Sequence, residues 1–218
     1  MSGISREAFA RRYPALYHMA EDQTWDTLQQ HGLLSCTALL DLFEVSGDAR
    51  TAIESSRRPR SVELAHPEHG RAVIRDNKPF QEGRMRDRLV GMTMREWYEH
   101  LNRRTFFWVS ESRLARLLNA YGERPHIVLT VDTASLLEQH EDAVTLARMN
   151  TGATNFVPPM RGVGTFMPLS TYPFDELKAR TSEPVVELTV DYSVPDIAAH
   201  VLRVERRQRD QVLEVLVP

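Results

Sequence analysis

The sequence predicts an α+β fold, a split and antiparallel-rich β-sheet with peripheral helices, and three observations carry that prediction. Short apolar runs of strand type, such as Ala15 to Ala20, Ile127 to Val131 and Val185 to Val190, follow one another with short helical patterns scattered between them. Such an order suits a split antiparallel sheet better than a doubly wound parallel one. With 218 residues, 42% of them hydrophobic and 26% charged, the chain can bury a proper core. No repeat, low-complexity segment or Gly/Ser linker divides it, so a single domain over 1–218 is expected.

Residues 4–44 read as a helix, a strand around His18, a second helix and an apolar helical turn from Thr37 to Phe43. In the second helix Asp22 or Thr24 can cap the start, Trp25 and Leu28 form the apolar stripe, and Gly32 supplies the stop. Residues 45–104 read as a helical and loop insertion. It is helical over 49–56, extended from Arg71 to Arg75, and helical again over 82–89 and 93–101, where Trp97 and Tyr98 lie. From Phe106 the period returns to strands. Ile127–Val131, Val144–Ala147, Val185–Val190 and Val201–Glu205 follow, the last expected to pair near Gln211–Val217.

Composition excludes several classes. The single cysteine, Cys36, rules out an internal disulfide framework and a cysteine-rich zinc site. The first residues contain no apolar signal core, and no stretch approaches the roughly 20 apolar residues of a membrane helix, so a reduced cytoplasmic setting without membrane contact is expected. A net charge of −3 gives no global basic field. Local runs at Arg57–Arg60, Arg84–Arg88, Arg103–Arg104 and Arg203–Arg209 could line up as a nucleic-acid stripe, against the ordinary reading of solvated faces. The eight histidines show no His-Glu-x-x-His spacing, and His66 and His69 flank a Pro-Glu with no array to complete a site, so no metal is expected. There is no Gly-x-Ser-x-Gly turn, and Gly162-Val-Gly164 opens no helix, which removes nucleophile-elbow hydrolases, P-loops and Rossmann crevices.

Two residues stand out. His18 and Glu187 are each a polar side chain set within an apolar, strand-like run, where an unpaired imidazole or carboxylate is costly. The competing readings are a satisfied structural histidine and a glutamate that faces water.

The neighbourhoods of these residues resemble a known superfamily at three points in order. The first is Tyr17-His18 followed by a short helix ending in His31-Gly-Leu-Leu-Ser35; the second is the aromatic strand Thr105-Phe-Phe-Trp108 running into a helix; the third is Glu187-Leu-Thr-Val-Asp-Tyr-Ser-Val-Pro195. Together they resemble the ADP-ribosyltransferase superfamily, most closely its DarT-type branch of DNA ADP-ribosyltransferases, and a family of uncharacterised bacterial domains.

That resemblance implies an ADP-ribosyltransferase-like fold that uses NAD as co-substrate, without a metal, and passes ADP-ribose to a macromolecular acceptor. By resemblance, Glu187 is catalytic, with Arg75 assisting catalysis or holding the cofactor phosphates and Arg71 as its rival. His18 orients a ribose or the carboxamide by donating from one ring nitrogen. Trp108, or Phe107 beside it, stacks on nicotinamide. Asn150, in the polar loop Met149–Asn155, touches substrate or nicotinamide. Asn119 reads as a helix cap. A DNA base is the acceptor the branch favours, with RNA, protein or a small molecule as alternatives and a neighbouring antitoxin as an implied partner of a toxin. The rival functions are a non-catalytic module that binds NAD, ADP-ribose or nucleic acid, and an RNA 2′-phosphotransferase-like enzyme, for which a full phosphate-reading set is missing.

Overall fold

The structure, a computed structural model, describes residues 3–154 and 157–218. Helix Arg6–Arg12 (α1), capped by the Ser5 side chain on the Ala8 amide, leads into strand Ala15–Glu21 (β1). Helix Trp25–His31 (α2), the short strand Leu33–Leu34 (β2) and helices Cys36–Leu42 (α3) and Gly47–Glu54 (α4) follow. A hairpin of Val62–His66 (β3) and Gly70–Ile74 (β4) comes next, then helix Glu82–Met85 (α5), strand Leu89–Val90 (β5) and helix Met94–Asn102 (α6). Beyond them lie Arg104–Trp108 (β6), Glu111–Tyr121 (α7), His126–Asp132 (β7), Thr133–His140 (α8), Val144–Ala147 (β8) and Arg161–Gly162 (β9). Phe174–Lys178 (α9), Glu187–Asp191 (β10), Ser193–Val194 (β11), Ile197–His200 (α10), Val201–Gln208 (β12) and Gln211–Val217 (β13) complete the chain.

The fold is α+β. Its large sheet has seven strands in the order β13-β12-β7-β1-β6-β10-β8, every neighbouring pair antiparallel. One junction is weak. β1 pairs with β7 along all seven of its residues, but with β6 only at Tyr17 opposite Trp108. Past that pair the two strands part, and side chains take over the carbonyls that a longer ladder would have used: His18 reaches that of Phe106 and Arg75 that of Met19.

Alternation along the strands explains the two layers. Leu16, Phe107, Leu129, Val131, Leu188 and Val190 share the main core, which α1, α2, α8, α9 and α10 cover. Met19 and Val128, of opposite parity, pack on Leu114 and Leu118 of α7, with Tyr17 and Trp108 against them. The inserted region does not stand apart. Its α4, β3 and β4 share a cluster with Leu40 of α3, and Phe80, Met85, Trp97 and Tyr98 pack with Phe166 and Ala147.

The three resembling segments are mutual neighbours. β1 meets β6, β6 pairs with β10 over five residues, and β2 of Gly-Leu-Leu-Ser pairs with β11 of Ser-Val-Pro. Gly32 makes the last pairing achievable: it sits at φ +79°, and a Cβ there would lie 2.5 Å from Pro195 Cα.

Several local expectations are corrected. Thr24 holds the N-cap position of α2 without capping it, because its hydroxyl donates to the Glu21 carbonyl at 2.7 Å, and Asp22 instead pairs with Arg206 at 2.8 Å. The helix expected over 82–89 stops at Met85 and continues as a 3₁₀ turn. Asn119 lies inside α7, which ends at Gly122. The hairpin partner β3 was not expected. Among the described residues no helix is long and apolar enough to cross a membrane.

Candidate functional site

The parting of β1 from β6 opens a cleft of about 440 Å³, walled by β1, β6, the start of β10, α2, α3, β4 and the loop after β8. Its size is within the range of small-molecule sites, about 300–1,000 Å³. His18, Arg71, Arg75, Trp108, Asn150 and Glu187, all expected at a site, line it together. Phe107 does not; its side chain is fully buried in the main core, so of the two aromatics Trp108 is the one that faces the cleft.

Glu187 begins β10, with Trp108 opposite it on β6 and Ala147 opposite it on β8. It is 4% exposed, yet it is not unpaired. Thr151 donates its backbone N–H to Oε2 at 3.2 Å and its hydroxyl to the same oxygen at 2.7 Å. Burial pushes the carboxyl up to about 7; the Thr151 donors and the more distant Arg161 and Arg113 charges act against that rise. Glu187 therefore changes charge near neutral pH.

The Thr151 loop is held from its other side by Arg161, which sequence reasoning missed. This guanidinium is 3% exposed and makes no ion pair among the described residues; it donates to the carbonyls of Asn150 at 2.9 Å and Ala153 at 2.5 Å. Donors of the loop thus face Glu187 while its acceptors face Arg161. The site contribution expected of Asn150 narrows to its place in this loop, where Thr151 makes the contact. Asn155, the end of the predicted polar loop, lies outside the described residues.

His18 departs from its expected role. Its Nδ1 is 2.8 Å from the Phe106 carbonyl, which can only accept, so the ring proton resides on Nδ1. Burial, helped by the Arg75 charge, lowers its pKa to about 4, so the ring is neutral at pH 7. Nε2 makes no protein hydrogen bond among the described residues and carries a lone pair. Toward a ligand in the cleft, His18 is an acceptor, as a hydroxyl requires, and not the donor expected from the sequence.

Arg75 is also more than a surface charge. Nη2 donates to Met19 O at 2.8 Å, the guanidinium lies 5.7 Å from the Tyr121 ring centre, and Nη1 is buried without a partner among the described residues. A buried guanidinium nitrogen left unpaired calls for an acceptor, and an anion suits it best. Arg71, two residues before Val73 and four before Arg75, shares their side of the hairpin by alternation and is exposed at the cleft. Leu39, Leu42 and Phe43 add an apolar stretch to the wall. Cys36, also in the wall, has its thiol pushed up to about 11 by burial and is no thiolate nucleophile at neutral pH.

Several members of the arginine runs have partners within the protein. Arg58 is buried and bonds Asn102 and backbone carbonyls. Arg103 pairs with Asp191, Arg203 with Glu205, Arg206 with Asp22 and Arg209 with Glu123.

Residues 14–201 match the model of a family of unknown function, DUF7002. No curated protein matches the chain.

Proposed function

The chain belongs to the DUF7002 family, and from its cleft we propose an NAD-dependent ADP-ribosyltransferase that moves ADP-ribose to a macromolecular acceptor. The observation that carries this reading is Glu187, a buried carboxylate at the parting of a split antiparallel sheet, with the indole of Trp108 beside it and the lone pair of His18 in the same cleft. The resemblance at the three sequence landmarks supports it, and so does their mutual pairing.

In the proposed reaction the bond between the ribose C1′ and the nicotinamide nitrogen breaks, its electron pair leaving with nicotinamide. A nucleophile of the acceptor then bonds to C1′. Positive charge builds on the ribose between these events, and a carboxylate held in a dry site stabilises it without reorganising. Glu187 supplies that charge when ionised, and it can take the proton the nucleophile loses. His18 Nε2 accepts from a ribose hydroxyl. Trp108 offers a face for the nicotinamide ring. Arg71 and Arg75 meet the pyrophosphate, whose oxygens would give the unpaired Nη1 its partner. The apolar stretch at Leu39, Leu42 and Phe43 suits the adenine.

The fit rests on what these residues lack: an acceptor at Arg75 Nη1, and a donor at His18 Nε2. The acceptor class rests on the resemblance, which favours a DNA base. The experiment is incubation with NAD labelled in the adenylate, alone and with DNA, RNA or lysate. Nicotinamide release with label transferred to one acceptor supports the reading. Tight NAD binding without release would make the chain a binding module, and no binding would remove NAD altogether.

A further inference from the structure

Away from the cleft, α8 and α10 bring together His140, Asp196 and His200, whose ligand atoms all lie within 4.8 Å of one another. We propose that this cluster is a site for a zinc-class divalent metal ion, with two imidazoles and one carboxylate as ligands and water in the fourth place.

The arrangement is more than a charged contact. The two rings meet edge to face, 5.5 Å between centres, and both direct Nε2 at the same carboxylate: His140 at 2.6 Å from Oδ1 and His200 at 3.1 Å from Oδ2. His200 is 3% exposed, and its Nε2 is out of line for hydrogen bonding despite that distance, so a buried ring nitrogen is left without a hydrogen bond among the described residues. Its other nitrogen is already fixed, 2.7 Å from the Ser135 hydroxyl. Such an outer contact commonly sets the tautomer of a metal-bound histidine and frees the opposite lone pair for the ion.

Ligand chemistry narrows the metal. Imidazole nitrogens with a carboxylate suit zinc and its neighbours, whereas calcium and magnesium take oxygen alone. With bonds of about 2.0–2.1 Å in a tetrahedron, ligand atoms stand roughly 3.3 Å apart. The pair at 3.1 Å is close to that spacing, and the pair at 2.6 Å needs to open by well under an ångström. Asp196 can supply this movement, because its side chain is 42% exposed, which also leaves an entry path and room for water. The sequence carries a faint signal, Asp196 and His200 one helical turn apart, but His140 comes from another helix.

The ion would tie α8 to the turn that follows Pro195, and Pro195 abuts Gly32. It would thus brace the β2–β11 pairing from outside the cleft, as a structural site.

The test uses the full chain stripped by chelator dialysis, with zinc, cobalt or magnesium added back. Expected are a melting temperature that rises with the logarithm of free zinc, the intense visible absorption of four-coordinate cobalt, and no response to magnesium. His140→Gln and Asp196→Asn, both at partly exposed positions, should lose the zinc response and the cobalt band. A wild-type chain whose melting temperature ignores zinc, or whose cobalt spectrum is that of the hydrated ion, overturns the proposal. So does a zinc response of undiminished size in both variants, since the ion would then sit elsewhere.

Discussion

Thr151 holds Glu187 with two donors from one residue: its backbone N–H is shared between Oε1 at 3.3 Å and Oε2 at 3.2 Å, and its hydroxyl donates to Oε2 at 2.7 Å. The pair links a polar loop to the first residue of a strand 36 positions later. Both donors favour the ionised carboxylate, while burial favours the protonated one, and the balance leaves the group near neutrality.

Thr151→Val should disturb that balance in a known direction. The isosteric change removes the hydroxyl and keeps the N–H, so the carboxyl loses a donor worth about 1.5–3 kcal/mol to a charged acceptor. Its pKa should climb by about 1–2 units. The rise of transferase activity with pH should move up by the same amount, with the alkaline plateau retained. A pH profile that overlays the wild type would show that Thr151 does not tune Glu187.

Arg161 should prove to be an anchor. Arg161 serves both carbonyls from Nη2 while its Nε and Nη1 lie against the sulfurs of Met149 and Met85, and a shorter, more strongly hydrated lysine ammonium cannot fill that buried place, so Arg161→Lys should cost about 2–3 kcal/mol in urea unfolding and release the Thr151 loop. Activity should fall with it. Unchanged stability would refute this anchoring.

Arg71 and Arg75 separate binding from folding. Arg71 is exposed and makes no ion pair or hydrogen bond among the described residues, so Arg71→Gln should weaken NAD affinity while changing stability by no more than about 0.5 kcal/mol. Arg75 holds the Met19 carbonyl, so Arg75→Lys should lower both affinity and melting temperature. Calorimetric titration beside thermal melts decides, and an Arg71→Gln variant with native NAD affinity removes Arg71 from the site.

The pH dependence of stability has two opposed contributions here. Glu187 holds its proton in the fold up to about 7 but loses it in the unfolded chain near 4.5, so its contribution is full below 4.5 and is lost as pH rises through 7. His18, lowered from 6.5 to about 4, works the other way: its contribution is full above 6.5 and is lost as pH falls toward 4. Glu187→Gln should therefore remove the loss on the neutral side. Denaturant unfolding from pH 5 to 8 checks this, and a variant whose stability falls across that range as steeply as the wild type contradicts it.

His18 and Glu187 were legible in the sequence because a run of apolar, strand-like neighbours marks a polar residue that must be accounted for, whereas Trp108, one of three successive aromatics, was reached only through the family resemblance. Arg75 was reached through the resemblance, with Arg71 as its rival; that both line the cleft follows from the hairpin, whose partner Val62–His66 went unseen beside its Pro67-Glu-His-Gly70 turn. Thr151 and Arg161 were not legible, because each acts through a loop contact that no periodicity records, and a buried arginine on carbonyls looks in sequence like any surface arginine. The donor role of His18 failed for a similar reason: the Phe106 carbonyl that claims Nδ1 is 88 residues away.

The central claim stands on the charge of Glu187. Glu187→Gln preserves shape and can still accept from Thr151, so the variant should fold and bind NAD nearly as the wild type does, since the ground-state ribose is uncharged. Removing one preorganised electrostatic contact should lower nicotinamide release by about two to three orders of magnitude. Single-turnover release of nicotinamide from labelled NAD, wild type against Glu187→Gln at pH 8, is the measurement. A loss on that scale at unchanged NAD affinity is the result expected, and release within a few fold of wild type would contradict the catalytic assignment and the transferase proposal with it.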